Sequence, residues 1–311
     1  MSKFLYLQDF HISGKNPCNR NDNYYESMLL KLDEVLEIAK INKVDFVIDG
    51  GDFFESPIVT NTIVDDVLDR IESKKIKWFM LYGNHCEIGK NINVSGATSI
   101  SHMIRRSKFV EHLETIETED LFIQGFDYYH SIESDLKEKG LMSINKRENK
   151  IKIAVIHALI TLKSLPDKVM HLPIKALKTD FDYVFVAHNH KGWSEFQQKG
   201  VKIANISCLG RSAVDEADIK PTVAIYDSKT DNLSLIPLKC AKLGKDVFEL
   251  DKIEQLKNFE GEINKFIASL DTEKIKQLDL MGIIEYLAKE QNLEETVKQE
   301  IIKRIGEKNG L

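Results

Sequence analysis

The strongest constraint on this chain is where its apolar runs stop. Six short runs have the length and composition of buried strands: FLYLQDF from Phe4, VDFVIDG from Val44, IKWFMLYG from Ile76, IKIAVIH from Ile151, DYVFVAH from Asp182 and TVAIYD from Thr222. Between the first two, Met28 to Ile41 places Leu29, Leu32, Val35, Leu36 and Ala39 at helical spacing, and Ile63, Val64, Val67, Leu68 and Ile71 repeat the pattern before the third. Strand, helix, strand, helix, strand is the signature of an α/β layer with parallel pairing at its start. A chain of 311 residues, 42% hydrophobic, is long enough for one large domain plus an appendage, or for two modest domains.

Almost every early run ends in a potential metal ligand. Asp9 and His11 follow FLYLQ, Asp52 follows VIDGG, Asn84 and His85 follow MLYG, His157 ends IKIAVI, and His188 and His190 follow DYVFVA. In open α/β sheets ligands bind at the carboxyl ends of strands, so residues distant in sequence can converge there. Taken alone, each motif has a bland reading. Asp9-Phe10-His11 is a post-strand turn, Ser56-Pro57 suits the start of a helix, Gly83-Asn84 is common turn chemistry, and a single His157 is more often a bonded core histidine. The ordered set is more informative than its parts. Two carboxylates, one amide oxygen and four imidazoles suit manganese, iron or zinc better than all-oxygen calcium or magnesium sites. Seven donors are too many for one tetrahedral ion, yet they serve two ions about 4 Å apart that share a carboxylate, an arrangement that clamps a phosphate.

Charge and cysteine content narrow the classes further. Lys and Arg number 43 against 49 Asp and Glu, so the net charge of −6 gives no general basic footprint, and a nucleic-acid partner must be held by local features or bound cations. Cys18, Cys86, Cys208 and Cys240 form no C-x-x-C pair, which argues for a reducing compartment and against a structural zinc site. MSKFLYLQDF has no long apolar segment with a cleavage site, and no run approaches membrane-spanning length. The expectation is a soluble cytoplasmic protein.

DFH, GGDFFES, GNHCE, VIH and AHNH, in that order, resemble the motifs of the calcineurin-like metallophosphoesterases, D-x-H, G-D, G-N-H-D/E, H and G-H-x-H. GGDFFESPIVT and NISCLGRSAVDEADIKPTVAIYD further resemble the bacterial SbcD-type nuclease and its phage counterparts. The likeness covers about the first three quarters of the chain. It implies a four-layer α-β-β-α sandwich with two metals, manganese being the expected ion. One metal would be held by Asp9, His11, Asp52 and His190, and the other by Asp52, Asn84, His157 and His188, with Asp52 bridging. His85 would be no ligand but would face the phosphate, stabilising its charge or protonating the leaving oxygen. Arg211 or nearby lysines would contact the DNA backbone. Two positions depart from the family pattern: Cys86 stands where Asp or Glu is usual, with Glu87 a candidate to compensate around the metals, and Ala187 stands where Gly is usual.

Beyond about Phe248 the pattern turns helical and rich in Lys and Glu, with apolar stripes at Ile275, Leu278, Met281, Ile284, Leu287 and at Leu293, Val297, Ile301, Ile305. The expected organisation is a nuclease domain over residues 1–245, a linker or reduced cap over 246–271, and a helical hairpin over 272–311. The resemblance implies a metal-dependent DNA exonuclease or endonuclease acting in end processing and recombination. Its partners would be DNA, an SbcC-type coiled-coil ATPase docked on the C-terminal helices, and a second copy of the chain in a homodimer. A phosphatase or cyclic-nucleotide phosphodiesterase on the same scaffold, or a non-catalytic scaffold subunit, are the alternatives.

Overall fold

The computed structural model describes residues 1–88, 96–145, 149–166, 168–249 and 294–309. The chain divides into two compact units, Met1–Phe248 and Glu249–Leu311. In chain order the first unit contains β1 (Lys3–Leu7), α1 (Tyr24–Ile41), β2 (Phe46–Asp49), α2 (Asn61–Lys74), β3 (Lys77–Met80), α3 (Ser99–Arg106), β4 (Val110–His112), β5 (Thr115–Glu117), β6 (Leu121–Phe126) and α4 (Ile132–Lys139). There follow β7 (Ile151–His157), β8 (Ile160–Thr161), β9 (Leu172–Pro173), β10 (Tyr183–Ala187), β11 (Ser194–Gln198), β12 (Val201–Asn205), β13 (Thr222–Asp227), β14 (Asn232–Pro237) and α5 (Gly244–Val247).

All six expected strands form. One sheet runs β14-β13-β1-β2-β3-β4 and the other β11-β12-β10-β7-β6-β5, while β8 and β9 pair separately. The β1–β2, β2–β3 and β3–β4 pairs are parallel, as are β12–β10, β10–β7 and β7–β6. Each sheet therefore gathers several carboxyl strand ends along one edge.

The apolar runs look continuous because both faces of the central strands are buried. On β1, Phe4 and Tyr6 join a core that includes Phe46, Ile48, Ile153, Val155 and Phe185 from both sheets, whereas Leu5 and Leu7 join Leu32, Val35, Val64 and Val67 of α1 and α2. A third cluster packs Ile132 and Leu136 of α4 against Ala154, Ile156, Val184 and Val186 on the outer face of the second sheet. Three apolar layers between four structural layers give the α-β-β-α sandwich.

The helix starts differ from expectation in two places. Asn23 caps α1, its side chain accepting from the Glu26 amide at 3.3 Å, so the helix begins ahead of Met28. Ser56-Pro57 opens no helix, because α2 begins at Asn61 after an extended Thr60. The second unit is described only in the helix Glu295–Asn309. Most of the expected linker 246–271 and hairpin 272–311 lies outside the described residues. Among the described residues no helix is long and apolar enough to cross a membrane.

One buried cation in this core gives a testable pH dependence. Lys31 of α1 is 2% exposed and donates from Nζ to the Leu209 carbonyl at 2.6 Å. Burial, reinforced by the charges of Arg211 and Arg20, pulls its pKa down to about 7. The unfolded chain then holds this proton up to the ordinary lysine range while the folded chain releases it near neutrality, so the group's contribution makes stability rise with pH across that window. Lys31→Met is expected to be more stable than the parent at pH 7, by on the order of 2 kcal/mol, with the gap closing towards pH 10. Urea unfolding of both proteins at the two pH values checks this, and a gap independent of pH would refute it.

Candidate metal centre

The loops after β1 and β2 run side by side. Asp9 N donates to Gly51 O at 3.1 Å, His11 N to Asp52 O at 2.9 Å and Ile12 N to Phe53 O at 2.9 Å. This pairing lays Asp9, His11 and Asp52 along one edge, and it does so in an unusual backbone state. Asp9, His11, Asp52 and His188 all have left-handed φ, at 49°, 55°, 54° and 80°. Such conformations cost roughly 1–3 kcal/mol each in a non-glycine residue and persist where surrounding structure enforces them. Here the strain aims four candidate ligands into one space. Ala187 lies in β10 and is not left-handed, so its replacement of the usual glycine is accommodated without strain.

Two ligand groups result, each within 4.8 Å: Asp9 with His11 and His190, and Asp52 with His157 and His188. A third such group, His11 with Asp52 and His85, lies between them. Asn84 joins the second, its Oδ1 being 3.1 Å from His157 Nε2. Asp52 is 1% exposed; its Oδ1 accepts from the His85 amide at 2.9 Å, and its Oδ2 lies 3.1 Å from His157 Nε2.

The outer nitrogens of the imidazoles are already tied. His157 Nδ1 is 2.9 Å from Gly50 O, His85 Nδ1 is 2.6 Å from Glu55 O, His190 Nδ1 is 2.5 Å from Glu216 Oε1 and His11 Nδ1 is 2.8 Å from Glu55 Oε2. A carbonyl or carboxylate oxygen accepts, so the Nδ1 of His157, His85 and His190 is a donor, while His11 Nδ1 lies at ion-pair distance from Glu55 without an aligned hydrogen bond; each Nε2 is left to face inward. Inside the cluster the inner atoms crowd together without good partners. His11 Nε2 faces His190 Nε2 at 3.0 Å, while Asp52 Oδ2 is buried without an aligned hydrogen bond. Inward-pointing nitrogens around an orphaned carboxylate oxygen are the donor set that divalent cations satisfy.

Electrostatics agree with this arrangement. Burial alone would raise the Asp52 carboxyl, but the charge of His157, with those of His11 and His85, holds it far below the usual carboxylate range. Burial works against charge on His157, yet Asp52 raises its pKa to about 9; the Glu216 hydrogen bond and the charge of Asp9 likewise raise His190, against its burial, to about 9. Burial and the neighbouring His157 charge lower His188 to about 3. The pocket is built to hold cationic charge.

The second layer was not foreseen. Glu55 and Glu216 orient His11 and His190, and Glu216 Oε2 is itself held by the Ser212 and Ala213 amides at 2.7 and 3.0 Å. Gln8 donates to Asp9 Oδ2 and to Asn205 Oδ1, both at 3.0 Å, and the Asn205 amide reaches Asn189 O at 2.9 Å. Glu55 sits in GGDFFES and Glu216 in SAVDEAD, close to motifs already singled out, but only folding shows which acids meet histidines. Cys208 lies with His190 and Glu216, whereas Cys86 belongs to none of the metal-capable groups among the described residues.

Arg211 requires correction. It is 2% exposed, and its guanidinium donates to the carbonyls of Ala217, Ile219 and Lys242, at 3.2, 3.3 and 2.5 Å. A side chain spent on three backbone oxygens braces the loop after β12 and is not free to meet a DNA backbone. Compensation by Glu87 also finds no support around the imidazoles, where Glu55 and Glu216 take that place.

Gly83 explains why the MLYG run ends as it does. A Cβ there would lie 2.1 Å from Asp52 Oδ1 and 2.7 Å from the Asp52 backbone nitrogen, a clash no rotamer relieves. The glycine lets the short helical turn Asn84–Cys86 close onto Asp52. Gly83→Ala is expected to leave the fold intact and to weaken metal binding at the Asp52, Asn84, His157 and His188 group by about tenfold or more, as for other losses of ligand positioning. Metal titration calorimetry decides, with unchanged affinity the contrary result.

The calcineurin-like phosphoesterase family profile matches residues 3–192. The DNA double-strand break repair protein Mre11 of Methanococcus maripaludis is 24% identical over 199 residues, covering 61% of this chain and 52% of that protein. The chain thus spans about half the length of the curated relative it matches. Similar solved structures include a dimetal phosphatase from Danio rerio, at 10% identity and TM-score 0.49 over 78% of this chain and 97% of that one. The protein TT1561 of Thermus thermophilus shows 10% identity and TM-score 0.47 over 76% of this chain and 98% of that one. With the profile spanning most of both sheets and every strand-end ligand motif up to His190, the chain belongs to the calcineurin-like phosphoesterase family.

Proposed function

We propose that this phosphoesterase is a two-metal DNA nuclease of the SbcD type, active in end processing and recombination. The observation that carries the reading is the meeting of two ligand groups at Asp52, joined to kinship with a double-strand break repair protein. When bound, two divalent ions, manganese by preference, supply Lewis acidity toward a phosphodiester. The chain's own residues do the rest. Asp52 anchors the His85 backbone, and the Glu55 carbonyl holds His85 Nδ1, which leaves Nε2 to meet the phosphate or the departing oxygen.

The test is digestion of end-labelled duplex and single-stranded DNA with manganese, run beside a nucleoside cyclic phosphate and a phosphomonoester. Cleavage of DNA is expected to exceed that of the other two; efficient turnover of the monoester alone would make the protein a phosphatase. The reading extends to a cytoplasmic homodimer that docks the base of a coiled-coil ATPase through residues 272–311. Truncation after Leu270 is then expected to spare metal-dependent cleavage of short DNA while abolishing co-purification with that ATPase. Loss of the basal cleavage as well would count against a separate docking element.

A further inference from the structure

A cavity of about 200 Å³ opens beside the metal centre, lined by Tyr82, Gly83, Cys86, Glu87, His112, Asp127 and Tyr128. We propose that it seats one nucleobase of the nucleotide flanking the scissile phosphate, stacked on Tyr128. The proposal rests on the nuclease reading above and names the part of the substrate that this side of the site would take.

Position is the first argument. The lining comes from the carboxyl ends of β3, β4 and β6, the same edge that carries the metal ligands. Tyr128 has its ring centre 5.6 Å from that of His188 and 6.1 Å from that of His157. Gly83, in the cavity wall, touches Asp52 and precedes Asn84. A group bonded to a phosphate held at those ligands would therefore enter this cavity without crossing other structure.

The frame is also preformed. Tyr82 N donates to Asp127 Oδ1 at 2.8 Å, Tyr128 N to Tyr82 O at 2.9 Å, and the Tyr82 hydroxyl lies 2.8 Å from Ser101 Oγ. His112 Nε2 is 2.8 Å from Asp127 Oδ2, and its ring lies 4.9 Å from that of Tyr82 at 40°. The rings of Tyr82 and His112, and the backbone that carries Tyr128, are thus fixed before any ligand arrives.

Size and charge select the occupant. The volume is below the ~300 Å³ at which drug-sized pockets begin, so it holds one flat ring system and not a whole nucleotide. A phosphate is disfavoured, since the charged groups lining the cavity are Glu87, Asp127 and the His112 that faces Asp127. A base has the opposite character: it is neutral, offers two π faces, and in adenine, cytosine and guanine carries N–H donors suited to the Glu87 carboxylate. Cys86 is 5% exposed and brings no carboxylate to the wall. An acid at this position, as the family pattern has it, would add a carboxylate to the wall.

Two measurements test the proposal on the full chain. In the first, 2-aminopurine deoxyriboside 5′-monophosphate is titrated into the magnesium-loaded protein. Stacking is expected to quench its fluorescence with wild type and Tyr128→Phe, but not with Tyr128→Ala or Tyr128→Leu; absence of quenching by wild type, or equal quenching by all four, overturns the assignment. In the second, kcat/KM is compared for oligonucleotides with a normal or an abasic nucleotide flanking the cleaved bond. Wild type and Tyr128→Phe should prefer the base-bearing substrate about tenfold, the scale of one lost stacking contact, and Tyr128→Ala should bring the ratio near one. A ratio unaltered by Tyr128→Ala shows a merely structural tyrosine and overturns the proposal. Should neither DNA be cleaved while bis(p-nitrophenyl) phosphate is hydrolysed, the nuclease reading fails, and the quenching result still decides the cavity.

Discussion

Asp52→Asn is expected to abolish metal-dependent hydrolysis and to weaken both metal groups together, by about a hundredfold or more. The expectation comes from the carboxylate's position. Its Oδ1 holds the His85 amide, its Oδ2 faces His157 Nε2, and the side chain also lies within reach of His11 and His188. An asparagine keeps the shape but replaces an anionic oxygen with an amide that presents donors to a cation. Asp9, the other carboxylate of the two ligand groups, is bound by Gln8 and by the His188 amide. Loss of one partner from a buried pair also destabilises, by roughly 3–5 kcal/mol in comparable cases, so binding must be measured on protein shown to be folded. The substitution should lower the His157 pKa as well, since Asp52 is what raises it. Elemental analysis finding two full-occupancy ions in the folded variant would show that Asp52 does not bridge.

His85→Ala is expected to retain both metals and to lose turnover by about a hundredfold or more, the usual scale for a missing general acid or charge-stabilising group. The side chain is 31% exposed, which sets it apart from the buried ligands Asp52 and His157. Its Nδ1 is committed to the Glu55 carbonyl, so only Nε2 can act on a substrate. The competing outcome is concrete, because His85 shares a metal-capable group with His11 and Asp52. Metal content that falls in step with activity would make it a ligand. Glutamine at the same position refines the test: it retains a hydrogen-bond donor but cannot shuttle a proton, so partial recovery relative to alanine would assign His85 to charge stabilisation.

The strands of the α/β layer were legible in the chain because a strand buried on both faces is apolar along most of its length, while the four-layer sandwich followed from the family resemblance. Each of the six runs from FLYLQ to TVAIYD therefore announced itself, and parallel pairing at the start followed from the intervening helices. Strands at or near the sheet margins did not. β14 is exposed at four of its six positions with no strict alternation, and β4 and β5 are three residues each, too short for any period to emerge. The candidate ligands stood out for a related reason: a histidine or aspartate ending an apolar run has few roles besides solvation and binding.

What the chain could not disclose was the pairing of polar groups across loops. Glu55 and Glu216 are two among 49 acidic residues, and nothing in local sequence says that they, and not Glu87, meet the imidazoles. Arg211 shows the same limit from the other side. An arginine in a polar loop reads as exposed, yet the segments around Ala217, Ile219 and Lys242 bring three carbonyls onto its guanidinium and bury it. The cavity beside Tyr128 likewise arises only where β3, β4 and β6 end together. Hydrophobic periodicity records which face of an element leaves water, and so it determined the layers and the edge where chemistry could gather. Hydrogen-bond partners depend on which loops become neighbours in space, and the tertiary packing alone decided that.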